Sequence, residues 1–248
     1  MATRLQVWAT AMGCPAVWHG PIAGVSGFNS STRSAAEADF QELEALAHNA
    51  HLPTVKSKGQ RPHSSRRKRM NSAVIVIDVQ QGLCDGSEAP FDCDGTISRI
   101  NQVTRKARKV GAPVIFVQHE SESGYLEHGS DAWQLANGLE VEPHDIRVRK
   151  TTPDSFLKTE LESILKVHGV EKLVVCGMHT EFCVDTTTRR ALALGLPVDL
   201  VSDAHTSAGN AAISAQQVIA HHNATLTNIS SFGPRAQAIT SENLTFEG

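Results

Sequence analysis

Three side chains with complementary chemistry, Asp78, Lys150 and Cys183, each follow a short run of strand-forming residues. A cysteine thiolate attacks an amide or related carbonyl carbon, an aspartate can move the proton, and a lysine can orient the aspartate. The three residues therefore predict nucleophilic chemistry on a carbonyl group, provided that the fold brings them together. Taken singly, each also has an ordinary structural interpretation: a buried free thiol, an Asp that ends a strand and a solvated Lys.

Cys183 lies in a segment, residues 173–194, whose pattern changes from strand to helix. An apolar run ends at Gly177, and a helical pattern extends from about residue 181 until Gly195 ends it. Cys183 would then occupy the first helical turn. Because unpaired backbone N–H groups and the positive end of the helix dipole stabilise an anion there, we expect its thiol to be biased toward the thiolate.

Strand and helix patterns alternate through the region that contains these residues. The strands are predicted at residues 73–77, 114–118, 145–150, 173–176, 198–201 and 224–229, and the helices at 96–110, 154–167, 181–194 and 211–222. This alternation predicts an α/β fold, a doubly wound three-layer sandwich with a mostly parallel six-stranded sheet. Active sites of such sheets lie at the carboxyl ends of the strands, so the fold would gather the three reactive side chains.

A long loop-like region, residues 119–142, follows the second predicted strand. Loops of this length in a compact α/β domain usually build a binding site or a lid. His119 and Trp133 from this region are therefore candidates for the substrate pocket, together with Glu181 from the turn near Cys183.

Composition limits the class of protein. Hydrophobic residues make up 40% and charged residues 20% of the 248, while aromatic residues are only 5%, so the core must rest on aliphatic side chains, as in parallel sheets. The five cysteines lack the short paired spacings of a disulfide framework or a zinc ribbon, which favours a cytoplasmic setting. Cys84 and Cys93 are close in the chain, but their pattern is too weak to assign a redox pair. No run of 18 apolar residues is present, so no membrane association is expected.

The amino-terminal region differs from the rest in charge and pattern. Residues 1–69 contain nine of the 23 basic residues but four of the 26 acidic ones. Apart from one short amphipathic stretch, the region lacks sustained periodicity, and we expect a disordered basic extension. Its SSRRKR cluster admits a nucleic-acid or targeting role, but nucleic-acid binding is not the favoured interpretation.

Four motifs, in order, resemble the isochorismatase-like cysteine hydrolase superfamily. They are IDVQ with Asp78, VRKTTPDSF with Lys150, GMHTEFCVDTTTRRAL with Cys183, and VSDAHT at residues 201–206. The similarity covers about residues 70–232, so residues 70–248 are expected to form an isochorismatase-like hydrolase domain. The motifs look most similar to the amidase-like members, a group to which streptothricin hydrolase-type sequences are also similar.

The resemblance implies specific roles. Asp78, Lys150 and Cys183 would be a catalytic triad, the peptide bond between Met178 and His179 would be cis, and the backbone N–H groups of His179 and Cys183 would form the oxyanion hole. Relatives are commonly oligomers, so a homodimer or homotetramer acting on a small molecule is expected.

The resemblance also limits the class of bond that the protein is expected to hydrolyse. True isochorismatases cleave a vinyl ether and generally lack this cysteine, so the presence of Cys183 favours hydrolysis of an amide, ureido or carbamoyl C–N bond through a thioester. Two alternatives stay open at this point. One is vinyl-ether hydrolysis in which Asp78 alone moves the proton, and the other is a non-catalytic binding homologue.

A metal site is not expected, although three residues leave the question open. Nicotinamidase-like members hold a metal with an Asp-x-His pair after the second strand, whereas this chain has QHESES there. His119, His128 and Asp131 could converge on zinc, but their spacing matches no familiar site. We therefore expect no metal and no other cofactor.

Overall fold

The computed structural model describes residues 71–85 and 89–246. The predicted extension, residues 1–69, lies outside the described residues. The strands are β1 (Ser72–Ile77), β2 (Val114–His119), β3 (Ile146–Lys150), β4 (Lys172–Met178), β5 (Val198–Thr206) and β6 (Ala236–Ile239). The helices are α1 (Gln81–Cys84), α2 (Cys93–Lys109), α3 (Leu161–Val167), α4 (Asp185–Ala193) and α5 (Ala215–Asn228), and a π-helical turn, Thr180–Val184, precedes α4.

The six strands form one sheet with the order β3-β2-β1-β4-β5-β6, and all five pairings are parallel. The predicted α/β fold is confirmed, and the sheet is entirely rather than mostly parallel. Crossovers between parallel strands are almost always right-handed, so connections that run in opposite directions from β1 and β4 are expected to place helices on both faces. The chain order reverses between β1 and β4, and the crevice at their carboxyl ends is where such folds bind ligands.

The central strands are mostly apolar because both faces of the sheet are covered. Every residue of β2 is buried, as is every residue of β1 after Ser72. In such strands the backbone hydrogen bonds are satisfied within the sheet and the side chains pack against helices on either face. The core therefore holds the carboxyl ends of β1 and β4 in a fixed register, Ile77 opposite Gly177.

Two predicted elements at the carboxyl end of the chain are wrong. Residues 224–229 were expected to form the last strand, but residues 224–228 continue α5, and the last strand is β6. The Ser214–Gln217 capping box starts α5 later than predicted, and Leu226 buries its side chain in the core. The Thr227 hydroxyl donates to the Asn223 carbonyl, which accommodates a β-branched residue in the helix.

The helix predicted at residues 154–167 begins only at Leu161. Side chains in the preceding residues bind the backbone locally instead. Asp154 Oδ1 accepts from the Phe156 N–H at 2.8 Å, and Thr159 Oγ1 donates to the Ser155 carbonyl at 2.7 Å. Because these bonds compete with the helical pattern, residues 151–160 form turns that lead from β3 into α3.

Gly177 does not break β4 as predicted, because the strand continues to Met178. The glycine is required for another reason. It adopts a φ of +121°, and a Cβ atom there would lie 2.1 Å from the Ile77 carbonyl oxygen. Only a residue without a side chain lets β4 approach β1 this closely at the end where the reactive residues lie.

Replacing Gly177 with alanine is expected to lower the free energy of unfolding by about 3 kcal/mol or more, because backbone atoms of β1 must move. Gly195→Ala is the matched control. Gly195 also has a positive φ, +89°, but nothing lies within 4 Å of its added Cβ, so only the conformational cost of about 1–2 kcal/mol is expected. Urea denaturation measures both, and equal losses would contradict the steric explanation.

No helix within residues 71–85 and 89–246 is both long and apolar enough to cross a membrane.

Candidate active site

Asp78 is the first residue after β1 and is completely buried. Its N–H donates to the Val117 carbonyl at 2.9 Å, which keeps the residue in register with β2 even though its φ of +53° lies in the left-handed region. Asp tolerates this conformation better than most residues. The turn places the carboxylate over the carboxyl ends of the central strands.

Lys150 is the last residue of β3 and reaches past β2 toward β1. Its Nζ donates to Asp78 Oδ2 at 2.6 Å, to Cys183 Sγ at 3.2 Å and to the Thr152 carbonyl at 3.1 Å. His119 Nδ1 lies 3.4 Å away. The whole ammonium group is buried, so these neighbours replace the water that normally solvates it.

Cys183 lies in the π-helical turn rather than in the first turn of a regular α-helix. The Val184 N–H donates to the His179 carbonyl, which widens the turn, and α4 starts only at Asp185. Such turns occur frequently at functional sites. The peptide bond between Met178 and His179 is cis, at the position that the sequence resemblance implied.

The protonation of this cluster differs from the sequence expectation of a resting thiolate. Burial raises the pKa of Cys183 well above its usual value, and the nearby Asp78 carboxylate raises it further, which outweighs the lowering by Lys150. Burial alone would lower the pKa of Lys150, but attraction to Asp78 and Cys183 raises it instead. The resting arrangement is therefore a neutral thiol beside a carboxylate and an ammonium group.

Asp78 has a carboxylate oxygen that can accept the proton of the Cys183 thiol. Asp78 Oδ2 accepts the hydrogen bond from Lys150, whereas Oδ1 is buried and accepts none from the described residues. A buried carboxylate oxygen without a partner is costly, so its presence beside a thiol points to proton transfer. The cluster can therefore generate the thiolate when a carbonyl group arrives.

Gln80 supports this cluster, and the sequence assigned it no role although it ends the quoted IDVQ motif. Its Oε1 accepts from the His119 N–H at 2.8 Å, and its Nε2 donates to the carbonyls of His119 and Trp133, both at 2.9 Å. The amide thus ties the segment after Asp78 to the end of β2 and to the following loop. Its signal in the sequence was a polar residue three positions after the end of a buried strand.

The predicted pocket residues lie in different surroundings. His119 contacts Lys150, as described above, and its buried Nε2 has no hydrogen-bond partner among the described residues. Trp133 packs edge-on against His128 at 4.6 Å between ring centroids, and its Nε1 is likewise buried and unpaired there. Glu181 faces the end of β5, where its Oε1 accepts from Ser207 Oγ at 2.8 Å.

The zinc alternative finds no support in the described part of the chain. Within residues 71–85 and 89–246, no group of three or more His, Cys, Asp or Glu side chains is arranged to hold a metal ion. His128 instead contacts Trp133, and His119 instead faces Lys150.

Three buried histidines make the stability of the fold depend on pH. Burial lowers the pKa of His119, His179 and His205 to about 4 each. Histidine in the unfolded chain has a pKa near 6.5, so below that pH the unfolded state takes up protons that the folded state does not. The free energy of unfolding should therefore fall as the pH is lowered from about 6.5 to about 4.

The variant His205→Gln tests this expectation. Both ring nitrogens of His205 have partners, Thr180 Oγ1 and Asn223 Oδ1, and neither partner belongs to the triad. The part of the unfolding free energy that is lost between pH 6.5 and 4 should shrink by about 2–3 kcal/mol in the variant. Urea denaturation at several pH values measures it, and an unchanged pH dependence would contradict the lowered pKa of His205.

The matches to known proteins agree with this geometry. The model of the isochorismatase domain matches residues 72–231. The chain belongs to the isochorismatase family.

Curated relatives of this isochorismatase-family chain include a streptothricin hydrolase and a ureidoacrylate amidohydrolase. A streptothricin hydrolase from Streptomyces noursei is 37% identical over 134 residues, which cover 54% of this chain and 49% of that protein. A ureidoacrylate amidohydrolase from Variovorax paradoxus is 29% identical over 195 residues, 64% of this chain and 77% of that protein. The chain thus spans about half the length of the streptothricin hydrolases that it matches.

Solved structures of the family share the fold. An isochorismatase from Pseudomonas putida is 28% identical with a TM-score of 0.63, covering 70% of this chain and 90% of that one. N-carbamoylsarcosine amidase from Thermoplasma acidophilum has a TM-score of 0.61 over 72% of this chain and 100% of that one. At 21% identity, the second likeness concerns the fold alone.

Proposed function

We propose that the protein hydrolyses a C–N bond of a small amide, ureido or carbamoyl compound through a thioester on Cys183. The observation that carries the proposal is the buried contact of one ammonium group, Lys150 Nζ, with both the carboxylate of Asp78 and the sulfur of Cys183. The names of the relatives, a streptothricin hydrolase and a ureidoacrylate amidohydrolase, support a C–N bond as the target.

The first half of the reaction forms the thioester. Cys183 Sγ attacks the carbonyl carbon while its proton passes to Asp78 Oδ1, the unpaired oxygen. The backbone N–H groups of His179 and Cys183 would stabilise the tetrahedral oxyanion. When this intermediate collapses, the C–N bond breaks and the amine leaves with the proton from Asp78.

The second half restores the enzyme. Asp78 takes a proton from water, the resulting hydroxide attacks the thioester carbon, and the Cys183 sulfur leaves and recovers the proton. Lys150 stays protonated throughout, because the Asp78 carboxylate and the Cys183 sulfur raise its pKa. Its charge stabilises the sulfur anion when that anion forms and leaves.

Buried polar atoms of the three predicted pocket residues favour a substrate with several hydrogen-bonding groups. Among the described residues, Nε2 of His119, Nε1 of Trp133 and Oε2 of Glu181 are buried without a partner. A buried polar atom costs free energy unless a partner satisfies it. Amide, ureido and carbamoyl compounds carry both N–H donors and carbonyl acceptors, so they could supply such partners.

A substrate panel tests the proposal. Wild-type protein is incubated with amides, ureides and carbamoyl compounds, and the release of ammonia or amine is measured. Isochorismate is tested in parallel, with the release of pyruvate as the readout. Intact-mass spectrometry of quenched reactions detects an acyl group on Cys183. Release of ammonia or amine with an acyl adduct supports the proposal. Pyruvate release without an adduct would favour vinyl-ether hydrolysis, and substrate binding without turnover would favour a non-catalytic homologue.

A further inference from the structure

The VSDAHT motif, residues 201–206, has no role in the proposed reaction, and it coincides with an irregular part of β5. Leu200 pairs with Val175 and His205 pairs with Gly177. Between these pairings β5 advances five residues, from 200 to 205, while β4 advances two, from 175 to 177. Such irregularities re-aim side chains and are frequent beside active sites. This one returns β5 to β4 at His205, beside the residues that lead into the π-helical turn.

A chain of side-chain hydrogen bonds connects the motif to the turn that carries Cys183. Thr180 Oγ1, in the first residue of the turn, lies 2.9 Å from His205 Nδ1. His205 Nε2 lies 3.0 Å from Oδ1 of Asn223 in α5, and Asn223 Nδ2 donates to the Ser202 carbonyl at 3.0 Å. Thr180 and His205 are 0% and 2% exposed, so water cannot replace a lost partner.

The direction of every bond in this chain follows from its last acceptor. The Ser202 carbonyl can only accept, so the amide nitrogen of Asn223 faces it and the amide oxygen faces His205. Because that oxygen also only accepts, His205 Nε2 must carry a hydrogen. Burial lowers the pKa of His205 to about 4, so the ring is neutral at pH 7 and Nδ1 accepts. The Thr180 hydroxyl is therefore the donor, and its one hydrogen points to β5.

We propose that His205 and Asn223 are positioning residues for the oxyanion hole, and that they act through the hydroxyl of Thr180. Thr180 stands between His179 and Cys183, whose backbone N–H groups would stabilise the oxyanion. The bond to His205 selects one rotamer of the threonine and holds the backbone between the two donors against β5. Such donors stabilise the transition state only when they are accurately placed. The inference rests on the proposed hydrolysis, because that reaction forms the oxyanion.

The hydroxyl of Thr180 can be removed with little change in side-chain volume. Thr180→Val should lower kcat on the best panel substrate by about 10- to 100-fold and leave KM within about 3-fold, because displaced donors weaken mainly transition-state binding. Thr180→Ser keeps the hydroxyl and should recover most of kcat. Thr104→Val is the matched control. Thr104 is equally buried, but its hydroxyl donates to the Asn101 carbonyl within α2, so kcat should stay within about 2-fold of wild type.

Substitutions of His205 test the acceptor. In His205→Asn an amide oxygen stands close to the position of Nδ1, whereas His205→Leu has the same branching without an acceptor. The kcat of the Asn variant should exceed that of the Leu variant by about 10-fold or more. Thr180→Val combined with His205→Leu should lose no more kcat than the worse single variant, because both substitutions break the same bond. Circular dichroism checks that all variants are folded.

Nitrogen-15 NMR of the histidine rings reads the tautomer of His205 without any substitution in the chain or any substrate. We expect hydrogen on Nε2 and none on Nδ1 at pH 7, with the signals assigned by their loss in His205→Asn. Hydrogen on Nδ1, an unchanged kcat in Thr180→Val, or equal kcat in His205→Asn and His205→Leu would each overturn the inference. Absence of turnover by the wild-type protein would contradict the proposed hydrolysis and the positioning role together, whereas the wrong tautomer contradicts the hydrogen-bond chain alone.

Discussion

Replacing Cys183 with alanine should reduce turnover of the best substrate in the amide panel by at least about 1,000-fold, because no other group can form the thioester. The variant should stay folded, since the alanine removes one buried sulfur and leaves the ion pair of Lys150 with Asp78 intact. Asp78→Asn should cause a similar loss of turnover, because an amide cannot take the thiol proton. Steady-state assays and circular dichroism measure activity and folding.

Cys176→Ala is the matched control for this prediction. Cys176 is also fully buried, in the middle of β4, where its sulfur faces the Ile75 carbonyl rather than the triad. Burial raises the pKa of the Cys176 thiol far above its usual value, so it carries no thiolate. Activity should stay within a few-fold of wild type. Full turnover by the Cys183→Ala variant would rule out the covalent mechanism.

Replacing Lys150 with methionine should lower the free energy of unfolding by about 3–5 kcal/mol, because the Asp78 carboxylate is then buried without its counterion. Methionine is unbranched and only one heavy atom shorter than lysine, so most of the loss reports the charge rather than a cavity. Both side chains are essentially inaccessible to solvent, at 0% and 1%, so water cannot compensate for the lost partner. Urea denaturation at neutral pH measures the change.

A double-mutant cycle separates the contribution of the ion pair to the free energy of unfolding from any other destabilisation that the substitutions cause. Asp78→Asn alone leaves the Lys150 ammonium unpaired and should also destabilise. The combined variant, Asp78→Asn with Lys150→Met, removes both charges and should recover most of the lost stability. If the two single losses simply add in the combined variant, the ion pair has no stabilising coupling and the prediction is wrong. Activity should be lost in all three variants.

Much of the fold could be predicted because its signals are local. Residues 73–77 of β1 are buried on both faces of the sheet, as their run of apolar, mostly β-branched side chains predicts. The helical spacing at residues 96–110 likewise matches α2, which starts three residues earlier. In both segments the side-chain period and the burial pattern agree, so no tertiary contact has to override the local preference.

Prediction failed where local preference and tertiary packing disagree. Residues 224–229 carry threonines that favour strands, yet a capping box begins α5 and burial of Leu226 extends it. In residues 154–160, the Ser155 N–H donates to the hydroxyl oxygen of Thr187 in α4, at 3.2 Å. Such long-range partners are not visible in a local window, so the start of α3 could not be placed.

The sequence by itself determined the order of the first five strands, the family motifs, and the places of Asp78, Lys150 and Cys183 after predicted strands. These features depend on side-chain types and spacing, which are local properties. The charge state of the cluster was decided only by the tertiary structure. Helix-start geometry predicted a thiolate at Cys183, but complete burial beside a carboxylate raises the pKa of the thiol, because desolvation depends on everything packed around it.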